Sequence, residues 1–372
     1  MEKYCSAPDG RQRLIKKIQD RFDYIESFSV LERKTTKFHR ELATLYPLKT
    51  IITTNWDLFF EKHCKTVSFI NDKDMAFWNG NKRSVLKIHG SISNYGTIIA
   101  TNSDYQRAEE SLHKGLLGSK LKSILAEKNI IFIGYSFSDT DFKEIYNFVK
   151  NSIGEFHKQS YVVTPFESEA KKFEKLNFIP IITDGSYFIE QIKQRAINEN
   201  LLLSDEIYHD ANYLLNILII EHEKIHQTIN IKNNPHIIFT MAYQDGMIDA
   251  IERALNFMGT GEYSNPSYLE NTILMYEKIA KEEYKNNNYQ GLSYFKGYIM
   301  ALTFLCIPKK ERPSITPPIY FLCGISEIES YKDLKNALKK YSKKFKNEYK
   351  YAMNLVKDFP EGATYHHPPY RF

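Results

Sequence analysis

The sequence predicts an α/β fold, a doubly wound and mostly parallel sheet, followed by an all-helical domain. Three observations carry this. Short apolar runs rich in Ile, Val and aromatics alternate with helical patterns between residues 50 and 199. From about residue 204 onward the strand-like runs stop and only helix-length apolar stripes remain. A length of 372 residues, at roughly 100–200 residues per domain, suits two domains, placed at 1–203 and 204–372.

The elements follow in order. Residues 11–28 set Leu14, Ile18, Phe22 and Ile25 at helical spacing, and residues 31–46 repeat the pattern until Pro47 ends it. Buried strands are predicted at 50–53, 85–88, 97–100, 130–133, 161–163 and 178–182. Helices are predicted at 104–127, 139–152, 166–176 and 187–199. The second domain reads as helices at 204–229, 237–258, 267–287, 289–305 and 328–357. Loops at 233–235, 259–261 and 314–318 separate them, and the tail TYHHPPYRF reads as irregular. The stripe Ile273, Tyr276, Ile279 and Ala280 reads as core.

Composition narrows the function. With 50 basic and 45 acidic residues the net charge is +5, too small an excess to argue for nucleic acid without a clustered basic face. The lysines of 339–346 read as a solvated helix face. Cys5, Cys64, Cys306 and Cys323 form no C-x-x-C pair, which speaks for a reduced protein and against a zinc ribbon. The polar N-terminus lacks the apolar core of a signal peptide, and no apolar run reaches the ~18 residues of a membrane span. A cytoplasmic protein is expected. His63-Cys64 is set aside as a reactive pair, because neighbours on a helix point apart. His366-His367 is set aside as a metal site for want of further ligands.

Three segments stand at strand ends, where ligands bind in sheets of this kind: TTNWD at 53–57, KIHGS at 87–91 and GYSFSDTDF at 134–142. Each is ordinary alone. An Asn at a strand-to-helix junction suits an N-cap. A lone His suits a structural role, Gly134 and Ser136 suit a turn and cap, and Asp139 suits the cap of the next helix.

Together and in this order, the three segments resemble the sirtuin-like family, specifically its bacterial antiphage branch of NAD-consuming proteins. That branch shows a Thr-Thr-Asn-aromatic-Asp element, a His-Gly element, then Gly-Tyr-Ser before an acidic helix start. Thr101 to Tyr105 matches a further family feature, and the resemblance covers about residues 30–185. It implies a sirtuin-like, Rossmann-type domain at 1–203 that binds NAD as substrate and releases nicotinamide, depleting NAD in defence against phage. It implies catalytic roles for Asn55, His89 and Asp57, and NAD contacts for Thr54, Gly134, Tyr135 and Ser136. The chemistry agrees. Loss of nicotinamide passes through an oxocarbenium-like ribose. An amide positions water or the ribose, a carboxylate faces the developing charge, and an imidazole takes a proton near neutral pH.

Two departures matter. The paired cysteines of deacylating sirtuins are absent, which argues against lysine deacylation and leaves no metal expected. The family's opening strand and Gly-Ala-Gly-x-Ser loop are also missing, since the only glycine before residue 80 is Gly10. A chain beginning after that unit is expected to bind NAD poorly and fold marginally. The helical domain, 204–372, is expected to sense a trigger or build a homo-oligomer or a complex with a defence partner. An NAD or ADP-ribose binding module without chemistry, or a subunit of a defence complex, remains open.

Overall fold

The computed structural model describes residues 2–80, 82–307, 316–325, 328–360 and 364–370. The chain divides into two compact units, Met1–Ala196 and Ile197–Phe372.

The first unit opens with four helices, α1 (Glu2–Cys5), α2 (Gly10–Ser27), α3 (Ser29–Thr35) and α4 (Lys37–Ala43). Then come β1 (Thr50–Thr53), α5 (Phe59–Cys64), β2 (Val67–Phe69) and β3 (Ser84–Lys87). They are followed by α6 (Asn102–Lys114), α7 (Leu116–Glu127), β4 (Ile130–Ile133) and α8 (Thr140–Ile153). β5 (Ser160–Thr164), α9 (Glu167–Glu174), β6 (Ile179–Ile182) and α10 (Gly185–Asn198) complete the series. The strands form two three-stranded parallel sheets, ordered β1-β3-β2 and β4-β5-β6, rather than one continuous ladder. One apolar core unites them: Leu86 of β3 and Ile88 just beyond it meet Phe132 of β4, Val162 of β5, and Leu121 and Leu125 of α7.

The structure departs from the sequence reading at five places. The helix expected at 31–46 breaks at Thr36, whose hydroxyl donates back to the Glu32 carbonyl at 2.6 Å and competes with the helical ladder. The helix expected at 104–127 breaks at Gly115, where Asp72 Oδ1, distant in sequence, accepts the Leu117 N–H at 2.9 Å and starts a new helix. The strand expected at 97–100 does not form. The N–H groups of Ala100 and Thr101 donate to Asp104 Oδ2 at 3.0 and 3.1 Å, in a capping box that starts α6. The helix expected at 328–357 is two helices that meet at Phe345. β2 was not foreseen; its three residues carry too short an apolar pattern.

β3 is the middle strand of its sheet and carries a buried cation near each end. At its start, Arg83 donates to four carbonyls, those of Ala43, Leu45, Leu48 and Cys64, at 2.8–3.3 Å. It thereby satisfies acceptors at the end of α4 that would otherwise be buried without donors. At its end, Lys87 is fully buried. Its ammonium donates to the Asp57 carbonyl and pairs with Glu61 Oε1 at 3.0 Å, while Ser68 Oγ donates to the same oxygen at 2.7 Å. One side chain thus ties β3 to the loop after β1, to α5 and to β2.

The second unit is helical: α11 (Glu206–Thr228), α12 (Ile238–Asn256), α13 (Pro266–Lys285), α14 (Tyr289–Cys306), α15 (Tyr331–Lys344) and α16 (Lys346–Val356). Its core holds Phe239, Met247, Phe295 and Leu302, with Tyr276 and Ala280 buried and Ile273 and Ile279 packed against them. α12 and α14 cross at two glycines. A Cβ on Gly246 would stand 2.0 Å from the Tyr294 carbonyl oxygen, and one on Gly297 would stand 1.8 Å from that of Tyr243. On α15, Leu334, Leu338 and Tyr341 face the core while the lysines between them are exposed. Among the described residues no helix is long and apolar enough to cross a membrane. Of the predicted loop 314–318, residues 314–315 lie outside the described residues, as do tail residues 371–372.

The reading of His366-His367 as a pair without further ligands is corrected here. His366 stacks on His222 with ring centroids 5.0 Å apart and lies 5.4 Å from His226. Tertiary packing assembles what the local spacing of the tail could not show.

Two stability outcomes follow. Lys87→Met should leave the half-buried Glu61 carboxylate without its cation, with Ser68 still donating to it, and cost up to about 3–5 kcal/mol in denaturant unfolding. The double change with Glu61→Leu should recover much of that loss. Gly297→Ala should destabilise by about 1–3 kcal/mol through overpacking. The same change on an unobstructed helix would stabilise by about 0.4–1 kcal/mol, so thermal unfolding of this one variant tests the sign.

Candidate active site

The parallel pairing of β1 with β3 sets the site. The register places Thr53 opposite Lys87, so Asn55 and His89 each lie two residues beyond matched strand ends. The ladder continues past the strands through Ile88 N–H to the Thr53 carbonyl at 3.1 Å, and Ile92 N–H to the Trp56 carbonyl at 2.9 Å. The two loops therefore travel together at the carboxyl end of the sheet.

Asn55 is exposed, and its backbone N–H donates to Thr53 Oγ1 at 3.1 Å. It does not cap a helix, because α5 begins only at Phe59. Thr54 beside it is half-buried. Asp57 is buried and faces inward: its Oδ1 accepts the Phe59 N–H at 3.0 Å, and its carbonyl is held by Lys87. Its carboxylate serves the start of α5.

His89 is 4% exposed and sits before Gly90, whose φ is +84°. Glycine is required there twice over, by the left-handed backbone and by the Thr97 carbonyl, which would meet a Cβ at 2.1 Å. That close approach lets the His89 carbonyl accept the Ile99 N–H at 3.1 Å. The imidazole packs edge-on against Tyr105 at 5.3 Å. Its Nε2 lies 3.3 Å from Asp139 Oδ1 and, among the described residues, has no aligned hydrogen-bond acceptor or donor. The nitrogen is thus held beside a carboxylate yet not committed to it.

Asp139 comes from the other sheet. It occupies the N-cap position of α8 but makes no side-chain cap bond; Oδ1 faces His89 and Oδ2 accepts from Tyr135 Oη at 3.5 Å. The turn that carries it is unusual. Gly134 has φ +64°, with open space where a Cβ would stand, and Phe137 has φ +54°, rare for a bulky residue. Phe137 is held there by Phe132, Phe142, Tyr146 and Phe178, packed around it at 5.2–6.0 Å. A strained residue over-determined by packing is a common accompaniment of a functional turn. Ser136 is exposed and shares a 2.6 Å hydrogen bond with Ser138.

The structure therefore brings His89 against the turn of Gly134 to Asp139, and aligns the Asn55 and His89 loops on neighbouring strands. A cavity of about 650 Å³ is lined by Ser136 and Phe137 together with residues of α8 and α9, and neither Asn55 nor His89 borders it. Two residues of the site went unnoticed as such in sequence. Asp139 reads as a cap, and Tyr105 only as the end of the Thr101–Tyr105 family feature. The available signals were the carboxylate inside GYSFSDTDF and the aromatic residue of that feature.

Tyr105 is positioned through its neighbour Asp104. Burial raises the Asp104 carboxyl, but Arg11, at 2.7 Å, and the Ala100 and Thr101 N–H groups outweigh it and hold the carboxyl well below the usual range. Elsewhere, Cys64 is inert: burial pushes its thiol up to about 11, and Sγ donates to the His39 carbonyl at 3.1 Å.

Comparison with known proteins bears on this site. A profile described as a SIR2-like domain matches residues 49–182. The chain is 29% identical over 167 residues to the NAD(+) hydrolase ThsA of Cytobacillus dafuensis, covering 43% of this chain and 32% of that protein. It is 26% identical over 204 residues to the protein of the same name from Acinetobacter baumannii (strain 532279), covering 53% and 38%. It is 25% identical over 173 residues to Defense-associated sirtuin 2 of Bacillus subtilis, covering 44% and 17%. The chain spans about a third of the length of the curated relatives it matches most strongly. All three segments at the strand ends, TTNWD, KIHGS and GYSFSDTDF, fall inside the span, residues 49–182, that the SIR2-like profile matches.

Proposed function

We propose that the chain is an NAD-consuming protein that hydrolyses NAD to nicotinamide and ADP-ribose, acting in bacterial antiphage defence by NAD depletion. The observation that carries this reading is the His89–Asp139 pair at 3.3 Å, held at the carboxyl ends of strands from both sheets. The names of the relatives, NAD(+) hydrolase and defence-associated sirtuin, support it.

In this reading the bond between ribose C1′ and the nicotinamide nitrogen breaks, and its electron pair leaves with the neutral ring. Water adds to the oxocarbenium-like ribose. His89 takes the proton that water loses and returns it to solvent, while Asp139 orients the imidazole and stabilises its cationic form. Asn55, exposed on the neighbouring loop, positions the water or the ribose. Asp57 acts as a positioning residue, because its carboxylate is occupied at the start of α5. Thr54, Tyr135 and Ser136 contact the dinucleotide, and Gly134 admits its close approach through the open space above it. The helical unit, Ile197–Phe372, is assigned to control or assembly, with a second copy or a defence protein as partner.

A second reading has one observation in its favour. The cavity bordered by Ser136 lies away from His89 and Asn55, as a site that holds nucleotide without cleaving it would allow. Detection of free nicotinamide separates the two. The hydrolase reading expects nicotinamide release by the chain, reduced about 10²–10⁴-fold in His89→Ala and strongly reduced in Asn55→Ala. NAD binding without nicotinamide release would instead establish the binding module. Asp139→Asn should lower kcat with little change in KM and alter the pH profile of kcat, whereas a purely structural carboxylate would leave that profile in place.

A further inference from the structure

The second unit contains a cluster that the proposed chemistry does not use. On α11, His222 and His226 lie one turn apart, and His366 of the C-terminal tail reaches them. Each of the three offers one nitrogen, and these nitrogens all lie within 4.8 Å of one another. The sequence His222-Glu223-Lys224-Ile225-His226 has the H-E-x-x-H order in which two histidines on one helix face hold zinc.

The hydrogen bonds around the cluster fix what His222 presents. Gln244 is fully buried, and its Nε2 donates to the Ile319 carbonyl at 3.0 Å, so its Oε1 is the acceptor facing His222. His222 Nδ1, 3.1 Å from that oxygen, must therefore carry the proton. The Nε2 atom of His222 is left with a lone pair, and it points at His226 Nε2, 3.2 Å away. Two nitrogens bound to one zinc ion at about 2.0–2.1 Å in a tetrahedron stand about 3.3–3.4 Å apart. The pair, at 3.2 Å, comes close to that spacing.

The surroundings complete a donor set. Asp245 Oδ1 lies 3.2 Å from His366 Nδ1 and 3.7 Å from His222 Nε2, and its other oxygen accepts the His367 N–H at 2.7 Å. Among the described residues, the ion pairs of this buried carboxylate are with histidines alone. Three imidazoles beside one carboxylate suit a divalent transition metal of the zinc class. A buried amide and a carboxylate orienting the ligands are the usual outer partners of such a site.

We propose that His222, His226 and His366 form a zinc-class metal site, with Asp245 beside them and Gln244 as a positioning residue, that fastens the C-terminal tail to α11. Glu223, the base of the H-E-x-x-H pattern in hydrolases, is exposed and accepts from Gln227 Nε2 at 2.7 Å. The site therefore holds metal rather than performs hydrolysis.

The test uses the full chain, stripped with chelator and titrated with Zn²⁺ against a chromogenic competitor. One zinc per chain is expected, with affinity falling at least tenfold in His226→Gln and in His366→Gln, both at partly exposed positions. Gln244→Leu should weaken binding by about 10–100-fold. His113→Gln, in the separate group of Glu109, His113 and Glu144, should change nothing. Co²⁺ loading should produce the visible absorption of a histidine-bound tetrahedral ion, lost in His226→Gln, while circular dichroism checks that each variant folds. Equal zinc affinity in the native chain, His226→Gln and His366→Gln would overturn the proposal, as would failure of the native chain to retain zinc.

Discussion

The buried ammonium of Lys87 is the constraint on which the first unit depends. A lysine in the middle strand of a small sheet is costly unless every proton on it finds an acceptor. Here the acceptors are the Asp57 carbonyl and the Glu61 carboxylate, which belong to the loop after β1 and to α5. The requirement to satisfy one cation therefore dictates where that loop runs. It turns Asp57 inward and leaves Asn55 exposed two residues earlier. Arg83, at the opposite end of β3, works by a different route. Its delocalised guanidinium is matched by four neutral carbonyls, which suits a planar donor with several N–H groups.

The same economy of position governs the site. His89 follows Lys87 by two residues, so the strand that builds the core also delivers the imidazole to its edge. The partner carboxylate is set by a different device, a turn with two left-handed residues whose strain is absorbed by a cage of aromatic rings. Asp139 occupies a capping position and forgoes the cap, facing His89 instead. Asp139 thus leaves its ordinary stabilising bond unmade to face a buried imidazole, an arrangement common at functional sites.

The helical unit follows another logic. Its two central helices approach until backbone meets backbone at Gly246 and Gly297, and the tail returns to α11 through His366. Close helix approach buries large aromatic residues around the crossing, Phe295 and Tyr294 among them. Gln244 and His222 are buried as well, and they hydrogen-bond to each other. A polar pair buried this completely holds a single geometry, which is what a ligand-orienting group needs.

Much of this was legible in the sequence, because periodicity is a local property. The strands at 50–53 and 130–133, the first four helices of the second unit, and the segments TTNWD, KIHGS and GYSFSDTDF all show in residue type and spacing alone. Those segments all lie inside the span that the SIR2-like profile matches. Contacts between residues far apart in the chain were not legible. Asp72 starting α7 and Asp139 facing His89 are side-chain events whose partners lie outside any periodic pattern. The histidine cluster shows the limit from both sides. H-E-x-x-H was present on one helix and His366 stood 140 residues further on. Only folding brings the third imidazole to the first two, since the path of an irregular tail is set by packing and hydrogen bonds rather than by its own residue order.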